Sequence, residues 1–187
     1  MFYVSDVLET PPSSFKSPLQ AMVYDVLAKL NIPFLRVDTD EAISMADCIR
    51  INQRLDMKMV KTLFVCNRQK TEFYLVVTTA GKPFRSKAFS SALDIARVSF
   101  APPELFESML GTKIGAATVF SALLDTDGLV QVVFDQDVLA EEWYGCSDGT
   151  TTGYMKVRTA QIFDDFLPYV AHKPAVIQME NPEADGE

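Results

Sequence analysis

The sequence predicts an α/β (α+β) fold: a mixed, partly antiparallel sheet surrounded by helices. Three observations carry the prediction. Apolar runs of strand length, MVKTLFVC (59–66), EFYLVVT (72–78) and LVQVVFD (129–135), alternate irregularly with helical patterns. The polar turn NRQK between the first two marks a hairpin. At 187 residues and 48% hydrophobic content, the chain can bury the core of one domain.

Taken in order, residues 1–16 read as a flexible lead-in, with TPPSSF too rich in proline and serine for an element. Ser17-Pro18 offers an N-cap and a first-turn proline, and Met22, Val23, Val26, Leu27 and Leu30 follow at helical spacing. PFLRVD is a short strand, and 44–55 a helix capped by Ser44. After the hairpin come a helix near 86–93, a strand at 96–100 and a helix in APPELFESML that Gly111 ends. GAATVFSALLD reads as strand and loop, 129–135 as a strand, Asp137–Glu142 as one helical turn and TGYMKVR as a strand. Thr159 caps a last helix reaching about Val170. The domain thus spans 17–178, and the acidic tail 179–187 is expected to be disordered.

Composition narrows the function. No apolar stretch is long enough to span a membrane, and no secretory signal pattern opens the chain. Cys48, Cys66 and Cys146 form neither a disulfide framework nor a CxxC pair, which suits a reducing cytoplasm. A single histidine, His172, argues against a metal site, and neither metal nor cofactor is expected. Net charge is −8, yet residues 50–97 hold ten bases against three acids. That local excess of +7 is compatible with touching phosphates, or with an ordinary solvated surface.

The common phosphate-loop, nucleophile-elbow and zincin motifs are absent from the sequence. Three subtler features remain. Lys61 interrupts an apolar strand, so it either faces solvent on an edge or meets an anion in a cleft. The small residues of GAATVFS (Gly115–Ser121) either let backbone N–H groups approach a carbonyl or allow a tight strand crossing. In EEWYGCSDGTTTGYMKV (141–157), the hydroxyls of Ser147, Thr150, Thr151 and Thr152 either close a pocket or satisfy their own turn.

The succession KTLFVCNRQKTEFYLVV, VSFAPPELFESMLG, TDGLVQVVFDQDVL and EEWYGC resembles the YbaK/prolyl-tRNA editing-domain family, in its free-standing ProX-type branch. The resemblance runs from about residue 20 to residue 177. It implies a trans-editing deacylase that hydrolyses the ester joining a small, wrongly attached amino acid to the terminal adenosine of tRNA. The implied partners are mischarged tRNA and an aminoacyl-tRNA synthetase.

The resemblance also assigns residues. Lys61 falls on the lysine implied to hold the tRNA 3′ end. Gly115, Ala116, Ala117, Thr118, Val119, Phe120 and Ser121 fall on a GxVxPFG loop that grips the aminoacyl group, with Val119 in place of the proline and Ser121 in place of the last glycine. Lys61, Gly115 and Thr118 are the expected catalytic positions, and the rest of the loop binds substrate. Residues 145–152 fall on xxHPxxNT: Ser147 replaces the histidine, Asp148 the proline and Thr151 the asparagine, while Thr152 fits. If Ser147, Asp148 and Thr151 face the pocket, a hydroxylated aminoacyl group is preferred. The alternative reading is a non-catalytic relative that binds tRNA 3′ ends, an aminoacyl-nucleoside or a synthetase.

Overall fold

A computed structural model describes residues 1–42 and 44–180. Helix α1 (Pro18–Lys29) starts where expected: Ser17 Oγ accepts from the Gln20 N–H at 3.1 Å, and Pro18 sits where a missing N–H costs nothing. Strand β1 (Leu35–Asp38) leads to α2 (Met45–Leu55), opened by a reciprocal capping box between Ser44 and Asp47. Strands β2 (Val60–Asn67) and β3 (Phe73–Thr79) form the expected antiparallel hairpin. Asn67 Oδ1 closes its turn by accepting from the N–H groups of Thr71 and Glu72.

Helix α3 (Ser86–Leu93), β4 (Val98–Phe100) and α4 (Pro103–Leu105) come next, and α4 runs on as a π-helical turn (Phe106–Leu110). Gly111 ends that turn at φ 63°, a left-handed conformation that costs glycine little. After a 3₁₀ turn (Val119–Leu123), the chain adds β5 (Val130–Asp135), α5 (Gln136–Leu139), β6 (Trp143–Ser147) and β7 (Gly153–Arg158). Helices α6 (Thr159–Gln161) and α7 (Leu167–Tyr169), joined by a π-helical turn (Ile162–Phe166), precede β8 (Ala175–Ile177).

These strands make two sheets, ordered β4-β2-β3-β5-β8 and β1-β7-β6. In the larger one β2 is antiparallel to β3 and β4, whereas β5 is parallel to β3 and β8. The sheet is mixed, as the sequence predicts. Alternation along β5 sends Val132 and Phe134 to a core shared with α1, β6 and β7, and Val133 to a second core under α3. A parallel bridge between Met59 and Gly145 joins the sheets. Gly145 is required there, because a Cβ would lie 2.6 Å from Met57 Sδ and 3.1 Å from the Lys58 carbonyl.

Four expectations are corrected. The lead-in is not loose: Val4 and Leu8 bridge to Thr39 and Arg36 beside β1, and Arg36 Nε donates to the Thr10 carbonyl at 2.6 Å. The GAATVFSALLD segment contains no strand; Gly115 at φ 92° lies in a turn at its start, and the apolar residues from Val119 on form the 3₁₀ turn. Thr159 is not the cap of the last helix, since Arg158 occupies that position and the buried Thr159 hydroxyl finds no partner among the described residues. Met179 is buried and its carbonyl accepts from Lys82, so the packed chain extends past 178. The rest of the expected tail, from residue 181, lies outside the described residues.

Candidate functional site

The bridge between the sheets brings the start of β2 beside the end of β6, and a cavity of about 280 Å³ opens there. Val60, Lys61 and Thr62 form one wall, and Cys146 and Ser147 another. Gly115 and Ala117 reach it from the small-residue loop, and Tyr154 from β7. Helix α2 closes the side with Cys48, Ile49 and Asn52, a spacing that places them on one helical face. Asn52 Oδ1 also accepts from the Met59 N–H at 3.0 Å, which ties α2 to the strand carrying Lys61.

Lys61 is half-buried, and its Nζ donates to the backbone carbonyl of Lys82. Among the described residues no carboxylate is ion-paired with it. Desolvation pushes its ammonium below the usual lysine range, so a cation stands at the cavity without a counter-charge. The carbonyl it touches is itself well held. Lys82 Nζ is buried against Asp135 at 2.9 Å and Asp137 at 2.7 Å, and donates to the Met179 carbonyl at 2.8 Å. Burial alone would depress the Lys82 ammonium, but hydrogen bonds and charge from Asp137 and Asp135 outweigh it and hold it above the usual value.

The cavity thus gathers Lys61, Gly115, Ala117 and Ser147 from the residues the sequence singled out. It does not gather the others. Thr118 is fully buried and caps the 3₁₀ turn, its Oγ1 accepting from the Phe120 N–H at 3.4 Å. Val119 and Phe120 are core residues, and Ser121 Oγ donates to the Leu110 carbonyl at 2.7 Å. Ala116, Thr151 and Thr152 border a neighbouring groove of about 390 Å³, shared with Lys16, Lys113 and Gly149. Thr151 Oγ1 donates to Glu41 Oε1 at 3.2 Å, and Thr152 Oγ1 accepts from Lys16 Nζ at 2.5 Å.

The 141–157 stretch is therefore a hairpin, β6 and β7, whose connection is bonded partly within itself and partly to Lys16, Gln20, Tyr24 and Glu41. Ser147 Oγ donates to the Thr150 carbonyl at 2.6 Å and accepts from the Gly149 N–H at 3.0 Å. Asp148 turns inward and is 1% exposed. The polar groups on which a hydroxylated substrate was expected to rest are bonded within the protein, which removes that basis for preferring serine or threonine. Part of the basic excess of 50–97 is also engaged. Arg50 donates to the Phe2 carbonyl, Arg54 pairs with Asp6, Lys58 pairs with Glu141, and Lys82 is interior.

Sequence reasoning missed Cys48, Ile49, Asn52, Thr62 and Tyr154. The i, i+1, i+4 spacing on α2 was the available signal, but it shows a face without showing what the face covers. Neither cavity cysteine is an activated nucleophile. Burial pushes the Cys146 thiol well above its usual range, and burial and then Asp47 push up that of Cys48.

The fold and the cavity describe a mixed α/β domain that offers one desolvated cation beside a loop of small residues, an arrangement suited to holding an anionic or carbonyl-bearing ligand. The family model of the aminoacyl-tRNA editing domain matches residues 39–164, and the chain belongs to that family. It is 25% identical over 113 residues to the prolyl-tRNA editing protein ProX of Acetoanaerobium sticklandii, covering 60% of this chain and 69% of that one. Among solved structures, a candidate trans-editing enzyme for prolyl tRNA synthetase superposes with a TM-score of 0.65 at 14% identity, covering 89% of this chain and 99% of the other. The hypothetical protein APE2540 gives 0.64 at 13% identity, over 85% and 99%. Those two likenesses concern the fold. Among the described residues no helix is long and apolar enough to cross a membrane.

Proposed function

We infer that the chain is a trans-editing deacylase, which hydrolyses the ester between a small mischarged amino acid and the 3′ end of tRNA. The observation that carries this reading is Lys61, an ammonium with no ion-pair partner among the described residues, in a cavity it shares with the Gly115–Ala117 loop, in a chain of the editing-domain family. The relative named above is a prolyl-tRNA editing protein, which supports the same substrate class.

In this reading Lys61 holds an oxygen of the terminal nucleotide. The Gly115 and Ala117 backbone lies along the aminoacyl group, where N–H donors can meet the oxyanion that forms when water adds to the ester carbonyl. The Ala116 N–H is already given to the Lys113 carbonyl at 3.1 Å, which stiffens the loop between them. Collapse of the adduct breaks the ester C–O bond, freeing the amino acid and restoring the ribose hydroxyl. With both cavity thiols protonated and no histidine lining the cavity, rate comes from positioning and charge, with water rather than a side chain as nucleophile.

The test is a panel of tRNAs charged with alanine, serine, threonine or the cognate amino acid, scored for release of the amino acid. We expect hydrolysis of at least one mischarged species and sparing of the cognate one. A folded protein that hydrolyses none of them overturns the deacylase reading in favour of a binding role.

A further inference from the structure

The strongest unassigned feature is the carboxylate of Asp148, in the connection between β6 and β7. It is buried, and among the described residues no cation is ion-paired with it. Four donors replace a counter-ion. Oδ2 accepts from Gln20 Nε2 at 2.8 Å and from the Tyr24 hydroxyl at 3.0 Å, both on α1. Oδ1 accepts from the Thr150 N–H at 3.2 Å and from Thr150 Oγ1 at 2.7 Å. The Gln20 amide is oriented for this, because its Oε1 accepts from the Lys16 N–H at 2.7 Å. Space is reserved as well: a Cβ on Gly153 would collide with the carboxylate.

The contacts form a chain that reaches the cavity. Asp148 holds Thr150, and the Thr150 carbonyl accepts from Ser147 Oγ, on the cavity wall. The Asp148 N–H meanwhile donates to the Gly153 carbonyl at 3.0 Å and closes the hairpin. Through Gln20 and Tyr24 the whole turn is fastened to α1, whose Leu19, Val23, Val26 and Leu27 are also buried. We infer that Asp148 is a positioning residue: by anchoring the β6–β7 turn on α1, it sets where the Ser147 wall stands and so which small aminoacyl group fits. This rests on the deacylase reading.

The substitution D148N tests it with little change of volume. Each carboxylate oxygen faces one obligatory donor, the Gln20 amide on one side and the Thr150 N–H on the other, so an amide there sets N–H against N–H whichever way it turns. We expect the ratio of kcat/KM for alanyl- and seryl-tRNA to shift by at least about fivefold, as a mispaired buried group displaces the turn. That ratio does not depend on how much of the protein is folded. The double variant D148N/Q20E reverses donor and acceptor: the new carboxylate keeps one oxygen for the Lys16 N–H and offers the other to the new amide. It is expected to restore the wild-type ratio.

Amide exchange at Gly149 and Thr150 supplies a readout independent of turnover, faster in D148N and recovered in the double variant. Faster exchange with an unchanged ratio makes Asp148 a purely structural residue and overturns the inference. If the wild type hydrolyses no charged tRNA, it is the deacylase reading that fails. The relative affinities of wild type and D148N for amide-linked alanyl- and seryl-adenosine then decide the positioning role, and unchanged relative affinities overturn it.

Discussion

Lys61 is the residue on which the functional reading turns, and its environment makes it separable from an ordinary surface lysine. It sits half-buried, donates from Nζ to the Lys82 carbonyl, and has its ammonium depressed by desolvation. Removing it takes away a charge-assisted contact, so Lys61→Ala should lower kcat/KM on a mischarged tRNA by about 10- to 100-fold, the equivalent of about 1.5–3 kcal/mol. A variant with wild-type kcat/KM removes Lys61 from the mechanism. A pH experiment follows with a defined sign. Because the folded-state pKa lies below the ordinary 10.5, the charge leaves Lys61 as pH rises through a window that ends near the ordinary value. Anion affinity should weaken across that window, whereas Lys61→Arg, which keeps its charge, should stay flat. Stability moves the other way. In that window the unfolded chain holds the proton that the folded chain has released, so the Lys61 contribution to stability rises with pH as the desolvated charge disappears. Aminoacyl esters hydrolyse unaided in alkali, so affinity for an amide-linked aminoacyl-adenosine is the measurement for the first effect. Urea midpoints of wild type and Lys61→Met give the second.

Among the elements, the site depends most on the junction of β2 with β6, and Gly145 is where the two backbones come closest. A methyl group there would press on Met57 Sδ and on the Lys58 carbonyl, and the second of these cannot swing aside. Gly145→Ala should therefore cost about 1–3 kcal/mol in a urea titration, the usual range for overpacking. It should lower deacylation as well, because the strand displaced is the one that carries Lys61. Gly81→Ala is the control: its Cβ would meet nothing within 4 Å, so its midpoint should hardly move. The elements also show what a sequence can and cannot reveal. Helices α1 and α2 were legible because Ser17-Pro18 and Ser44 announce them by local chemistry, and the β2–β3 hairpin because period and turn agree. Lys61 was legible because a cation in an apolar strand violates the local pattern. The contribution of α2 to the cavity was not, since Asn52 acquires its role only when Met59 folds back against it. Nor was the inward turn of Asp148, which is settled by Gln20 and Tyr24, well over a hundred positions earlier. The pairing of the lead-in with β1 and the three-residue β8 are likewise set by distant partners rather than by local propensity.

At the scale of the whole molecule, net charge and the distribution of unengaged bases determine how the protein can meet a nucleic acid. The chain carries −8 overall, and several bases of its positive segment are bound to the protein itself: Arg50 and Arg54 to the lead-in, Lys58 to Glu141, Lys82 to the interior. We expect such a surface to repel duplex at most approaches and to engage tRNA over a small footprint. A footprint of two or three phosphates at a single-stranded end gives a slope of about −1.5 to −2 in log K against log salt, since each contact contributes about 0.7. We expect that slope for tRNA binding, together with weak affinity for duplex RNA lacking a free 3′ end. Lys61→Ala should reduce the slope by less than about one if the lysine meets a phosphate, and leave it unchanged if it meets only ribose or ester oxygens. Filter binding across a salt series distinguishes these cases. A slope near −6 would instead require a broad basic face and would overturn the small footprint expected here.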